Sequence, residues 1–143
     1  MSATNLTGGC LCGAIRYTVH VPDPHASVCH CRMCQRWNGA PYFANFSVPV
    51  TGITWQGTPV VWRSSGIAVR AHCGACGTPL YWKGDRQPDS HDISLMTLDD
   101  PGRLRPRDQI WAKSAAAWPG LLPGIPAWPG EERAGEPFTR ATD

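Results

Sequence analysis

The sequence has no apolar run approaching the roughly 20 residues that a membrane helix needs, so a helical membrane span is excluded. It also has no dense Lys/Arg cluster. The nearest stretch, RLRPR at 103–107, is interrupted by Leu104 and Pro106 and reads as a solvated loop. Charged residues make up 17% of the 143 residues, and the formal net charge is +2. Nucleic acid and anionic membrane both call for a concentrated basic surface, so neither is expected as the main partner. The opening MSATNLTGG is polar and lacks the apolar segment of a signal peptide. The expected compartment is therefore the cytoplasm, and the NLT sequon at 5–7 carries little weight. There is no internal repeat and no low-complexity tract.

Cysteine, by contrast, is abundant. Seven cysteines in a chain expected to stay in a reducing compartment point to metal or catalysis before disulfides. The odd count points the same way.

The body reads as short strands punctuated by Gly and Pro. AIRYTVH (14–20) alternates, with Ile15, Tyr17 and Val19 on one face. PYFANFSV (41–48), PVVWR (59–63), IAVRAH (67–72), PLYW (79–82) and HDISLMTL (91–98) are further strand candidates, rich in aromatic and β-branched residues. Before residue 110 one short helix is expected, RMCQRWN (32–38), stopped by Gly39 and Pro41. LDDPG (98–102) has turn chemistry. Trp62, Trp82, Trp111 and Trp118 are assigned to the core or to a pocket wall. Two segments follow: a strand-rich, cysteine-rich domain over 5–118 and a Pro/Gly-rich tail over 119–143. Pro119, Pro123, Pro126, Pro129 and Pro137 forbid a regular helix or strand in the tail. Leu121, Leu122, Ile125 and Trp128 are expected to lie on the body or on a partner chain, so a homodimer stays open.

The cysteines fall into three groups. Cys10 and Cys12 are spaced C-x-C; on an extended strand their side chains share a face. Cys73 and Cys76 are spaced C-x2-C, with Gly74 and Gly77 leaving the backbone free to curl and aim N–H groups at sulfur. Together these four fit a closed, tetrahedral structural zinc site. The alternatives are inert buried thiols or a redox C-x2-C, which leave Cys10 and Cys12 unexplained. Cys29, Cys31 and Cys34 form the third group, C-x-C-x2-C. They offer three sulfurs and no evident fourth ligand, the pattern of a catalytic zinc with an open position. Three thiolates on a zinc dication carry a formal net charge of about −1, which suits a soft thiolate ligand better than activation of water. Arg32 and Arg36 flank the group and offset that charge. The alternatives here are a closed Cys3His site completed by His30 or His72, and metal-free thiols. An open site is also expected to hold metal more weakly than a closed one, so partial occupancy is expected.

GGCLCGAIRY (8–17), CHCRMCQRWNGAP (29–41), CGACGTPLYW (73–82), LDDP (98–101) and QIWAKSAAAW (109–118) together resemble the glutathione-dependent formaldehyde-activating enzyme family, which also includes centromere protein V. The resemblance runs in order over about residues 5–118 and matches all seven cysteines. It implies a mainly β fold, a small β-tent with short helices. It implies structural zinc on Cys10, Cys12, Cys73 and Cys76 and catalytic zinc on Cys29, Cys31 and Cys34. The activity implied is that of a carbon–sulfur lyase acting on a thiol–aldehyde adduct such as S-(hydroxymethyl)glutathione. The chain departs from the family where Gln35-Arg36 replaces a frequent Arg-Lys pair, with one cation fewer beside the open site. The expected partner is a small-molecule thiol, with glutathione the candidate. Arg36 is the candidate for binding a carboxylate, and Trp37, Tyr42 and Phe43 are candidates for walling the pocket. The competing reading is a non-catalytic zinc module that binds a protein partner. Nucleic-acid binding in the manner of centromere protein V is disfavoured by the near-neutral charge.

Overall fold

The alternation in the second strand sets the first layer of the core. In a computed structural model that describes residues 5–138, Ile15, Tyr17 and Val19 are buried, while Arg16 and Thr18 between them are partly exposed. Burying each such apolar side chain contributes about 1.5–3 kcal/mol. Arg16–Val19 (β2) pairs antiparallel with Leu6–Gly9 (β1) on one side and with Ile53–Gln56 (β5) on the other. A second antiparallel ladder joins Val60–Ser65 (β6), Ala68–His72 (β7), Pro79–Gly84 (β8) and Ser90–Ser94 (β9) in sequence order. These strands belong to a compact unit of residues up to 25 and 46–104. Its interior includes an aromatic cluster in which Trp55 lies 5.3 Å from Tyr17 and 5.7 Å from Tyr81, centroid to centroid. His91 sits 5.0 Å from Tyr81. Burial lowers the His91 pKa and raises that of Tyr17 to about 12.

The other unit comprises residues 26–45 and 105 onward. Ala26–Cys29 (β3) is buried along its length and pairs in parallel with Asp108–Ile110 (β10), Ile110 standing opposite Cys29. Arg32–Asn38 (α1) follows β3 and spans the residues the sequence predicts. It ends at Gly39, whose φ of 64° is the left-handed stop that glycine adopts without strain. Phe43–Pro49 (β4) carries the chain from this unit into the other. Residues 119–138 hold turns and one isolated bridge, Gln109 to Ala127, with no regular helix or strand among them. The fold is mainly β, as expected.

The structure corrects several expectations. Leu95–Thr97 is a 3-10 turn, so the strand predicted over 91–98 ends at Ser94. Strands β1, β3, β5 and β10 are too short to show a period and went unpredicted. Trp62 and Trp118 are 56% and 83% exposed and so belong to neither core nor wall. Trp62 lies on β6, an edge strand paired with β7 alone among the described residues, and Trp118 enters the Pro119 turn.

Two features of the first unit make measurable predictions. A Cβ on Gly8 would collide with the Tyr17 hydroxyl and the Thr97 carbonyl, where β1 bridges to Leu98. Gly8→Ala should therefore cost about 1–3 kcal/mol in urea unfolding. Asp99 accepts two hydrogen bonds from Arg16, at 2.8 and 2.5 Å, and one from Thr7 at 2.6 Å. The Arg16 guanidinium, then Thr7, lowers the Asp99 pKa to about 2. A depressed carboxylate contributes stability that is present above the ordinary value of 3.8 and lost as pH falls toward 2. Both side chains are over a third exposed, so the contribution is below about 1 kcal/mol. Wild type and Asp99→Asn should thus differ by a constant small amount above about pH 4 and converge between about pH 4 and 2, read from acid-dependent melting.

Candidate metal centre

The seven cysteines gather into two clusters, and each lies within one unit. Cys10, Cys12, Cys73 and Cys76 have sulfurs within 4.8 Å of one another, and so do Cys29, Cys31 and Cys34.

The four-sulfur cluster is built from two turns. Cys10 and Cys12 lie in a turn after β1 and not on an extended strand, which corrects the sequence reading. Cys10 N–H donates to the Ile15 carbonyl (3.0 Å), and Gly13 N–H donates to the Cys10 carbonyl (3.2 Å). Gly13 takes φ 81° to close that turn. The Cys73–Cys76 turn closes the same way, with Gly77 N–H on the Cys73 carbonyl at 2.9 Å and Gly77 at φ 80°. Backbone N–H groups point at sulfur in both turns: Ile15 at Cys10 Sγ (3.2 Å), Ala75 and Cys76 at Cys73 Sγ (3.4 Å each). Sulfur separations are 3.6 Å for Cys10–Cys12 and 3.8 Å for Cys12–Cys73. A disulfide needs about 2.05 Å. Four sulfurs at about 2.3 Å from a tetrahedral zinc stand about 3.8 Å apart. The donor set therefore fits zinc. The Thr78 hydroxyl, 3.1 Å from Cys76 Sγ, and the Thr78 and Cys12 N–H groups hold the Cys76 pKa down to about 5. Ile15, Leu80, Trp55 and Tyr81 pack around this cluster.

The three-sulfur cluster sits where β3 runs into α1. Cys29 ends the strand, and Cys31 is the N-cap of the helix, at φ −63° and ψ 152°. Cys34 lies in the first turn, where its N–H donates to Cys31 Sγ at 3.3 Å. Cys29 and Cys34 are buried and Cys31 is half-buried. The Cys31 and Cys34 thiols, followed by burial, push the Cys29 pKa far up. Three thiolates at this spacing would need a cation, and a soft divalent metal satisfies that need. Among the described residues no His, Asp or Glu joins either cluster. His30 is instead turned to Gln109, with Nε2 2.8 Å from Oε1.

The residues expected to serve substrate lie in the same unit as the trio. Arg36 is exposed in the last turn of α1. Trp37 is half-buried, its ring 5.3 Å from Phe43 at an interplanar angle of 71°. Phe43 is only 2% exposed, so it supports Trp37 from within the core. Tyr42 meets His30 edge-on at 5.5 Å. The sequence reading gave no role to Gln35 or Gln109. Gln35 is buried, bonded to Arg32 through Oε1, and its Nε2 donates to the carbonyls of His30 (2.7 Å) and Ser114 (3.0 Å). Its place directly after Cys34 was the available signal.

Residues 5–114 match the family described as glutathione-dependent formaldehyde-activating enzyme. The chain belongs to that family. An uncharacterized lyase of Schizosaccharomyces pombe is 33% identical over 75 residues, which cover 52% of this chain and 55% of the yeast protein. The chain thus spans about half the length of this curated relative. The crystal structure of a Rhodobacter sphaeroides protein, a structural genomics target, aligns with a TM-score of 0.55 at 18% identity, over 65% of this chain and 87% of that one. That likeness shows the fold alone. No helix among the described residues is long and apolar enough to cross a membrane.

Proposed function

We propose that the chain is a zinc-dependent carbon–sulfur lyase that makes or cleaves thiol–aldehyde adducts at Cys29, Cys31 and Cys34. S-(hydroxymethyl)glutathione is the reference substrate. The observation that carries this reading is the trio itself: three sulfurs within 4.8 Å, partly open at Cys31, joined by no His, Asp or Glu among the described residues. In the synthetic direction the substrate sulfur bonds to the aldehyde carbon, the carbonyl π bond breaks, and the thiol proton ends on the new hydroxyl. Zinc, when bound, supplies Lewis acidity and lowers the pKa of a coordinating thiol. The protein's own residues orient the reactants, and proximity provides most of the acceleration. In this reading Arg36, exposed in the last turn of α1, takes a carboxylate of the thiol, and Trp37, packed on Phe43, walls one side. Cys10, Cys12, Cys73 and Cys76 hold the structural zinc. A reducing compartment such as the cytoplasm would keep all seven thiols available.

A second reading, a zinc module that binds a protein partner, is favoured by one feature. Val60, Val61, Trp62 and Ile67 are about half exposed on and beside β6. Such an apolar edge is a docking surface for another strand. The two readings separate in a turnover assay with formaldehyde and a panel of thiols, zinc present. The lyase reading expects thiol-dependent turnover that Cys31→Ser abolishes with the fold intact. No turnover with any thiol would favour the module.

A further inference from the structure

The strap formed by residues 119–133 lies beyond the family match, which ends at residue 114. Within its unit the strap converges on one buried side chain. Gln109, fully buried on β10, donates from Nε2 to the carbonyls of Leu122 (2.9 Å) and Ile125 (3.5 Å). Its Oε1 accepts from Leu122 N–H at 2.9 Å. Its backbone N–H donates to the Pro126 carbonyl (3.0 Å), and its carbonyl accepts from Trp128 N–H (2.9 Å). Further along, Gly130 and Trp128 accept from the N–H groups of Trp111 and Ala112. Trp111 has φ 55°, a left-handed conformation that costs a bulky residue about 1–3 kcal/mol and persists only where its surroundings enforce it. Arg133 closes the strap onto Asp108 (2.6 Å) and Ser27 (3.1 Å).

These bonds fix which way the Gln109 amide points. Leu122 N–H needs an acceptor, and the Leu122 carbonyl needs a donor, so Oε1 and Nε2 cannot exchange places. An amide oxygen only accepts. The His30 Nε2 that lies 2.8 Å from that same oxygen must therefore carry its hydrogen. His30 stands between Cys29 and Cys31 and is held at two further points. Its N–H donates to the Ile110 carbonyl (3.0 Å), and its carbonyl accepts from Gln35 Nε2 (2.7 Å). Its backbone torsions set the relative aim of the two flanking sulfurs. A site with three protein ligands depends on such preorganisation more than one with four.

We propose that the C-terminal strap is part of the three-sulfur site. Through the Gln109 amide and the His30 ring it positions Cys29 and Cys31 for metal. Gln109 and His30 are positioning residues, not ligands. This rests on the reading that the trio holds zinc.

The test uses the full chain under reducing conditions, with zinc as the probe. Two variants are compared with wild type: Gln109→Leu, which removes the relay, and Leu122→Pro, which removes the strap's N–H donor and leaves β10 unchanged. Competition with a chromogenic chelator reads the two zinc equivalents separately. Removing an outer-shell partner typically weakens metal binding about 10- to 100-fold. That loss is expected for the second equivalent in both variants, with the first unchanged. If Gln109→Leu does not fold, Leu122→Pro reads the same coupling. Nitrogen-15 NMR of the His30 ring should show hydrogen on Nε2 in wild type and a shifted or mixed tautomer in the variants. Equal second-equivalent affinity in wild type and variants overturns the strap's role alone, as does a wild-type His30 ring with hydrogen only on Nδ1. A wild-type chain that never takes a second zinc overturns the reading of the site, and the proposal with it.

Discussion

Cys76→Ser is expected to leave the chain largely unfolded or insoluble. The four-sulfur cluster ties a turn at residues 10–13 to a turn at residues 73–77 and packs against Ile15, Leu80, Trp55 and Tyr81. Metal held there is folding free energy, about 10–16 kcal/mol for structural zinc in small peptides. A domain's whole stability is about 5–15 kcal/mol, so weakening that site removes a large share of it. The Cys76 pKa is held down to about 5 by Thr78 and by N–H groups aimed at it, so this thiol readily supplies a thiolate. Serine keeps the shape but supplies no thiolate. Soluble yield, circular dichroism and zinc content check this. A well-folded Cys76→Ser protein with an unchanged melting temperature would refute the four-sulfur site.

Cys34→Ser is expected to act in the opposite way: lyase turnover falls to background while the fold survives. Cys34 is held by a single short helix close to Cys29 and Cys31 in sequence, so metal there closes no long loop. Its loss should cost about 0.5–3 kcal/mol, the range of an ordinary substitution. Thiol-dependent turnover and thermal melting, measured on one preparation, check both halves. Retained turnover would remove the trio from the chemistry. A melting temperature that collapses as it does in Cys76→Ser would make the trio structural.

Much of this site is legible in the sequence because metal ligands come at spacings that turns and helix starts dictate. Cys73-x2-Cys76 with Gly77 specifies a turn, and Cys31-x2-Cys34 ahead of a helical run specifies a capped helix. The helix over 32–38 was readable from Gly39 and Pro41. The C-x-C geometry at residues 10–12 was not: alternation along a strand and a tight turn can both bring two sulfurs to one point, and only Gly13 hinted at the turn. Of the strands of four residues or fewer, β2 showed itself because alternation runs from Ile15 to Val19, while β1, β3, β5 and β10 carry no such run and were silent. The strap was hardest to read. Its Pro and Gly residues rule out regular structure but do not say what the freed backbone groups bond to. The partner is Gln109, a glutamine distant in sequence, whose role depends on its being buried. Trp62 shows the reverse failure, since a bulky aromatic reads as core wherever the edge of a sheet cannot be foreseen.

The central claim is that Cys29, Cys31 and Cys34 hold a second, more weakly bound zinc. Metal analysis of the wild-type chain, loaded with excess zinc under reducing conditions and then treated stepwise with a mild chelator, tests it most directly. The account predicts about two zincs per chain after loading, falling to about one with circular dichroism and melting unchanged, and the last zinc leaving only as the fold is lost. Uptake that stops at one zinc even in excess metal, or loss of both zincs together with unfolding, would contradict it.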